Sequence, residues 1–516
     1  MKHRRIVLSL LAAGIMMTGT LNVSGCGREL PGALKREETV TSTEAVEESE
    51  SGELPGAAGA SESGELPGVA GASESGGQSG TAGASESGEL PGDAETAGSS
   101  GKAPVSSHTR WKSKEPLPER YDAREHGRTA QVQDQGDLGT CWAFASLLAL
   151  ESSLLPEQAY DFSEDHMSND PNFALSQEVG GDYTMSMAYL LSWRGPVLET
   201  QDPYGDGVSP QGLLPARHVQ EIQILPERDQ ETIKRAVLAY GGVQSSLYTN
   251  LKNATTQSEY YNSKTGAYCC PGDRIPNHDV VIVGWDDHFP KENFLTEVEG
   301  DGAFLCQNSW GPQFGEEGFF YVSYYDGNLG KTNLCYTSVE VADNYDRIYQ
   351  SDLCGWIGQL GYGAETAWAA NVYETGSQAE QLRAVGFYAT GRDTDYEIYV
   401  VTDLSEHPAQ SGSHELEAYK MAAGGHLDYS GYYTIRLPQA QALSPDSRFG
   451  IMVRLTTRDA VHPIAIEYDT GDGKCRIDLS DGEGYISPDG KNWESAENVQ
   501  KCNLCLKAYT DLDETP

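Results

Sequence analysis

The chain has 516 residues and a formal net charge of -41, enough length for two or three domains. Such acidity makes nucleic acid and anionic membrane surfaces poor partners and would draw cationic substrates over distance. At the start, Lys2, Arg4 and Arg5 form a short basic region, followed by an apolar run from Ile6 to Met17. That run is too short to span a bilayer as a stable helix, so residues 1–25 are expected to be an export signal.

Val23-Ser24-Gly25-Cys26 resembles a bacterial lipobox. The resemblance implies thioether lipidation of Cys26 and anchoring of the exported protein to the membrane, since several acyl chains hold firmly where one would be marginal. Residues 27 to about 110 contain no Phe, Trp or Tyr and are rich in Gly, Ser, Ala and Glu. Ser49-Glu-Ser-Gly-Glu-Leu-Pro-Gly56 recurs from Ser61 and from Ser85, with a worn copy at Ser73. The unit is too short and too polar to stack into a solenoid, and it cannot bury enough surface to offset chain entropy. Residues 26–115 are therefore expected to be an acidic tether.

Order is expected from Pro116. Between 116 and 340 the pattern is mixed. Cys141 to Leu155 is almost wholly apolar and reads as a buried helix; Val280–Trp285 and Gly318–Tyr325 read as strands. This predicts an α+β domain. From 344 to 516 the texture changes to short alternating runs, such as 384–388, 396–400, 433–437, 450–454 and 464–467, separated by Gly, Asp and Pro turns. Period-two alternation in many short strands predicts an all-β sandwich. Cys502-x-x-Cys505 falls in one strand-like run, has no second matching pair, and reads as structural.

The chemistry centres on Cys141. A thiol becomes a good nucleophile on losing its proton, which a helix N-terminus and a nearby histidine both favour. Cys141 opens the apolar helix directly after Gly139-Thr140. An oxyanion formed at its adduct needs donors; the Cys141 backbone N–H could supply one, and the Gln135 side-chain amide a second if the loop between them folds back.

Gln135-Gly-Asp-Leu-Gly-Thr-Cys141-Trp-Ala-Phe144 closely resembles the nucleophile segment of papain-family cysteine peptidases. Asn277-His278-Asp279-Val-Val-Ile-Val-Gly-Trp285 resembles that family's histidine strand, and Gln307-Asn308-Ser309-Trp310-Gly311 its asparagine loop. Taken singly, these segments would be core packing, a core histidine and a turn; order and spacing together carry the resemblance. It implies a papain-like catalytic domain over 116–340. Cys141 would be the nucleophile, His278 its base and later an acid, Asn308 the group that orients the ring, Gln135 an oxyanion donor, and Trp310 a shield over the His278–Asn308 contact. Gly180-Gly181 stand where the family has a glycine pair that lets the substrate backbone lie close. No cofactor or metal is implied, and Asp469–Gly473 reads as a plain Asp-Gly turn rather than a calcium loop.

The sequence departs from the family in three ways. Leu138 and Val179 stand where many relatives have a disulfide pair. No amphipathic helix of an inhibitory prodomain precedes the domain. Asp279 replaces the small apolar residue that usually follows the histidine and borders the pocket for the second substrate residue upstream of the cut. A carboxylate there is costly without a cation or donors, so an Arg or Lys substrate side chain is expected to pair with it; the alternative is internal satisfaction by Arg274 or by backbone N–H groups. In the C-terminal region, Tyr345–Gln350, Gly361-Tyr362-Gly363, Thr366-Ala367-Trp368, Gly484–Ser487 and Trp493 resemble the lectin-like domain that follows papain-like peptidases in clostridia-type bacteria. This implies a glycan or protein ligand, or else a sandwich that only braces the peptidase. The expected activity is endopeptidase action on peptides or proteins at the cell surface. The competing functions are a surface adhesin with an incidental peptidase domain and an N-terminal-nucleophile amidase. The internal position of Cys141 argues against the amidase, and the complete Cys-His-Asn-Gln set against the adhesin.

Overall fold

The computed structural model describes residues 115–404, 421–471 and 473–513. The export segment, Cys26 and the repeats of the tether lie outside the described residues. The first half contains helices α1 (Cys141–Leu154), α2 (Glu164–Ser168), α3 (Tyr183–Leu191) and α4 (Gln230–Tyr240). Its strands are β1 (Arg120–Asp122), β2 (Arg217–Ile224), β3 (Val243–Leu247), β4 (Tyr261–Asn262), β5 (Ala267–Tyr268), β6 (His278–Asp286), β7 (Ala303–Gln307), β8 (Phe319–Ser323) and β9 (Asn333–Val341). The second half is built of β10 (Arg347–Tyr349), β11 (Gly358–Leu360), β12 (Thr366–Glu374), β13 (Glu380–Ala389), β14 (Thr394–Val401), β15 (Met421–Leu427), β16 (Ser430–Leu443), β17 (Arg448–Thr457), β18 (Ile464–Glu467), β19 (Gly484–Ser487), β20 (Glu494–Ser495), β21 (Asn503–Leu504) and β22 (Leu506–Leu512).

The architecture is the expected one: a papain-like α+β half followed by an all-β half. The apolar run became α1, whose residues from Cys141 to Ser152 are all buried, as a helix apolar on every side must be. Its inner surface meets β6 through Val281 and Val283 in one core that also holds Leu147, Leu148 and Leu150. The β half closes a second core between β13, β16 and β22 on one side and β12, β14 and β17 on the other.

The boundary between the halves is not a linker with two separate surfaces. One sheet runs across it in the order β10-β22-β13-β16-β2-β9-β3-β6-β7-β8-β5-β4. The join is the antiparallel pairing of Ser430–Tyr433 with Glu221–Ile224. Gly431 sits there at φ +140°, where a Cβ would fall 2.1 Å from the Ile222 carbonyl oxygen; only glycine lets the two backbones approach so closely. Tyr388, Tyr432, Ala465 and Cys505 of the β half enter the same buried cluster as α1 and α3.

Candidate active site

The site begins with the N-terminus of α1. Thr140, in the capping position, makes no side-chain cap hydrogen bond; its hydroxyl lies 2.6 Å from that of Tyr204, which donates to the Gln135 carbonyl at 3.0 Å. The positive end of the helix is thus left without a polar side-chain cap at Cys141, a setting that favours a thiolate. Cys141 is 1% exposed. The other described cysteines are free thiols.

His278 is the first residue of β6, between β3 and β7, and Asn308 follows directly on β7. The His278 Nε2 lies 2.8 Å from the Asn308 Oδ1. The same oxygen accepts the Ser309 backbone N–H at 2.8 Å, so it is an acceptor on both counts. Nε2 therefore carries the ring hydrogen, and Nδ1 is the basic nitrogen. Trp310 stacks on the imidazole at 4.6 Å between centroids, and His278 and Asn308 are both buried. Burial pushes His278 down to about 4, against the upward pull of the Asn308 hydrogen bond. A thiolate beside the ring would supply the opposite charge that stabilises the imidazolium.

The Gln135 loop is laced to the Asn308 loop. Asp134 bridges to Trp310, and the Gln135 N–H donates to the Ser309 carbonyl at 2.9 Å. The Ser309 hydroxyl donates to the Gln135 Oε1 at 2.6 Å, and the Gln135 Nε2 donates to the Leu138 carbonyl at 2.7 Å. An amide has two N–H donors, so one is committed within the loop. Sequence reasoning missed Ser309. The residue was visible inside the asparagine loop, but nothing local says its hydroxyl would reach back to Gln135.

Gly180 and Gly181 are buried beside the residue after Cys141. Gly180 has φ +101°. A Cβ on Gly181 would stand 2.6 Å from the Trp142 ring and 2.8 Å from the Met185 sulfur. Packing on Trp142 therefore already demands glycine at 181, apart from any need to admit a substrate.

Asp279 is 3% exposed. Strand alternation puts it on the α1 face of β6 with Val281 and Val283. Its internal partner is Gln244, whose Nε2 donates to Oδ2 at 3.0 Å. The alternative partner expected from sequence does not fill that role: Arg274 lies over the Tyr248 ring. Burial raises Asp279 to about 7; the Gln244 bond opposes this and the Asp182 charge adds to it. A carboxyl raised in this way stabilises the fold when protonated. Its contribution is full below about pH 4 and is lost as pH rises through about 7. Asp279→Asn does not titrate and still offers an acceptor to Gln244. Its stability relative to the parent is expected to rise by a few kcal/mol between pH 5 and pH 8, at about 1.4 kcal/mol per unit of pKa shift. Urea unfolding at both pH values checks this; a difference independent of pH would refute it.

Comparison with known proteins agrees with this geometry. Residues 117–340 match the family model described as papain family cysteine protease, and residues 348–510 match that described as lectin like domain. Cathepsin S of Bos taurus is 28% identical over 230 residues, covering 41% of this chain and 62% of that protein. Cathepsin L of Sarcophaga peregrina is 28% identical over 232 residues, covering 41% and 60%. The chain thus spans less than two thirds of these relatives' own length. The crystal structure of the cysteine protease and lectin-like domains of Cwp84, a surface layer associated protein of Clostridium difficile, superposes with a TM-score of 0.65 at 27% identity, covering 77% of this chain and 89% of that one. A second structure of the clostridial cysteine protease Cwp84, determined after propeptide cleavage, gives the same score, covering 76% and 99%. With α1, the histidine strand and the asparagine loop in one domain, and with a β-sandwich joined behind them, residues 117–340 form a papain family cysteine protease domain and residues 348–510 a lectin-like domain that follows it.

Proposed function

We propose that the chain is an exported cysteine endopeptidase acting through a thioester on Cys141. The observation that carries this reading is the buried His278–Asn308 hydrogen bond under Trp310, which leaves Nδ1 as the basic nitrogen. In the reduced protein, Nδ1 takes the Cys141 proton and the thiolate attacks the substrate carbonyl carbon. The resulting oxyanion is met by the Cys141 backbone N–H and by the second amide hydrogen of Gln135. The imidazolium then gives its proton to the leaving amine as the C–N bond breaks. A water molecule, deprotonated by the neutral ring, attacks the thioester; the acid product leaves and the thiol is restored.

The test is to treat the reduced full chain with a thiol-directed epoxide and follow cleavage of a peptide library. One equivalent of label on Cys141 with loss of turnover is expected; full turnover by a chain labelled on Cys141 would sink the reading. Gln135→Ala is expected to lower kcat by roughly 10²–10³-fold, the usual worth of one oxyanion donor. Because Gln135 also holds Ser309, the measurement should include the unfolding midpoint, which separates a lost donor from a loosened loop.

Anchoring at the cell surface through Cys26 belongs to the same reading. It is supported by the basic and apolar leader before the lipobox-like segment and by the likeness to Cwp84, a surface layer associated protein. Detergent partitioning and mass spectrometry of the mature N-terminus test it. For the lectin-like domain we propose a glycan or protein ligand at the same surface.

A further inference from the structure

The segment after the Asp469 turn of the lectin-like domain does not stay in its own half. The Lys474 carbonyl accepts the Ala174 N–H at 2.8 Å, and the Arg476 N–H donates to the Asn172 carbonyl at 2.9 Å. These bonds flank an antiparallel bridge between Cys475 and Phe173. Phe173 in turn packs edge-on against Trp142, the neighbour of Cys141. From this short ladder the Lys474 ammonium reaches Asp182 Oδ2 at 2.9 Å. Asp182 directly follows Gly180-Gly181 and caps α3 through its other oxygen, which accepts the Thr184 N–H at 2.9 Å. Its charge is felt by Asp279, the residue after His278. Asp182 thus follows the glycine pair while Asp279 lies on the histidine strand, and the cation set against Asp182 comes from the other domain. The Asp182 side chain is 4% exposed and that of Lys474 26%, so the pair is largely shielded rather than out in solvent, where screening would erase its effect.

We infer that Lys474 is a specificity-determining residue of the peptidase, contributed by the lectin-like domain. By cancelling the Asp182 charge it keeps the pocket beside Asp279 from favouring cationic side chains two residues upstream of the cut. The inference rests on the peptidase reading above.

The test uses the reduced full chain and three peptides that differ only at that position, carrying Arg, Leu or Glu. For Lys474→Met, the ratio of kcat/KM for Arg over Leu is expected to rise about tenfold, chiefly through KM, and the Glu peptide to fall further behind. Lys474→Arg should keep the parental ratio. Asp182→Asn, which still caps α3, should cancel the shift when combined with Lys474→Met. Lys474→Gln is the milder second variant should the methionine fail to fold, with a change of the same sign. A mere interdomain latch would lower the unfolding midpoint and slow all three peptides alike. Ratios within twofold of the parent in a folded, active variant would therefore overturn the inference and leave the peptidase reading standing. Failure of the parent to cleave any of the three would overturn both.

Discussion

Cys141→Ala is expected to reduce peptide hydrolysis by roughly 10⁴–10⁶-fold, the range seen when a nucleophile that acts as one unit with its base is removed, while leaving the fold in place. The side chain is buried but small, and alanine is the best helix former at the head of α1. Little packing is lost beyond one sulfur. The His278–Asn308 bond and the Trp310 stack involve no atom of Cys141, so the remainder of the site should keep its geometry. Kinetics with a thiol reductant present, alongside an unfolding curve that overlays the parent's, check the expectation. Parental turnover from a folded Cys141→Ala protein would dismiss the thioester mechanism.

A chain ending at Val341 is expected to give no soluble, cooperatively folding peptidase. Removing the lectin-like domain strips β16 from β2 and turns an interior strand into an open edge, a ready template for aggregation. It also takes Tyr388 and Tyr432 out of the core shared with α1 and α3. Aromatic side chains bury roughly 150–250 Å² each, worth several kcal/mol apiece at about 25 cal/mol per Å². That rivals the whole stability of a domain, about 5–15 kcal/mol. Soluble yield, near-UV circular dichroism and a thermal scan decide the matter. A monomeric, active fragment with a sharp transition would show that the join is dispensable.

What sequence made legible follows a physical rule. Features written in local pattern could be read: the wholly apolar α1, the Val-Ile run of β6, and the alternating strands β13, β14, β16, β17 and β18. Gln135, His278, Asn308 and Trp310 could also be read, because each sits in a short distinctive segment; the structure brings them into one hydrogen-bonded and stacked group. Features that depend on meetings between distant segments could not. Glu221–Ile224 carries no mark saying that a strand some two hundred residues later will pair with it. Gln244 gives no sign that it will hold Asp279, and Arg274 was the more obvious partner only because opposite charges suggest one another. Lys474 lies in an ordinary Asp-Gly-rich turn, and its approach to Asp182 is a product of tertiary folding alone. Gly181 was readable as a required glycine, yet Trp142 as the reason was not.

The ladder across β16 and β2 also fixes a bearing. Two domains on a hinge can sweep through many orientations, so that a ligand gripped by one wanders relative to the blade of the other. Here backbone hydrogen bonds run from the sandwich into the catalytic sheet without a break, which opposes a swivel. Anything held by the lectin-like domain would be presented to the cleft at one distance and one angle. The position of a cut would then be set by rigid measurement from the point of attachment, as a jig sets the work before a saw.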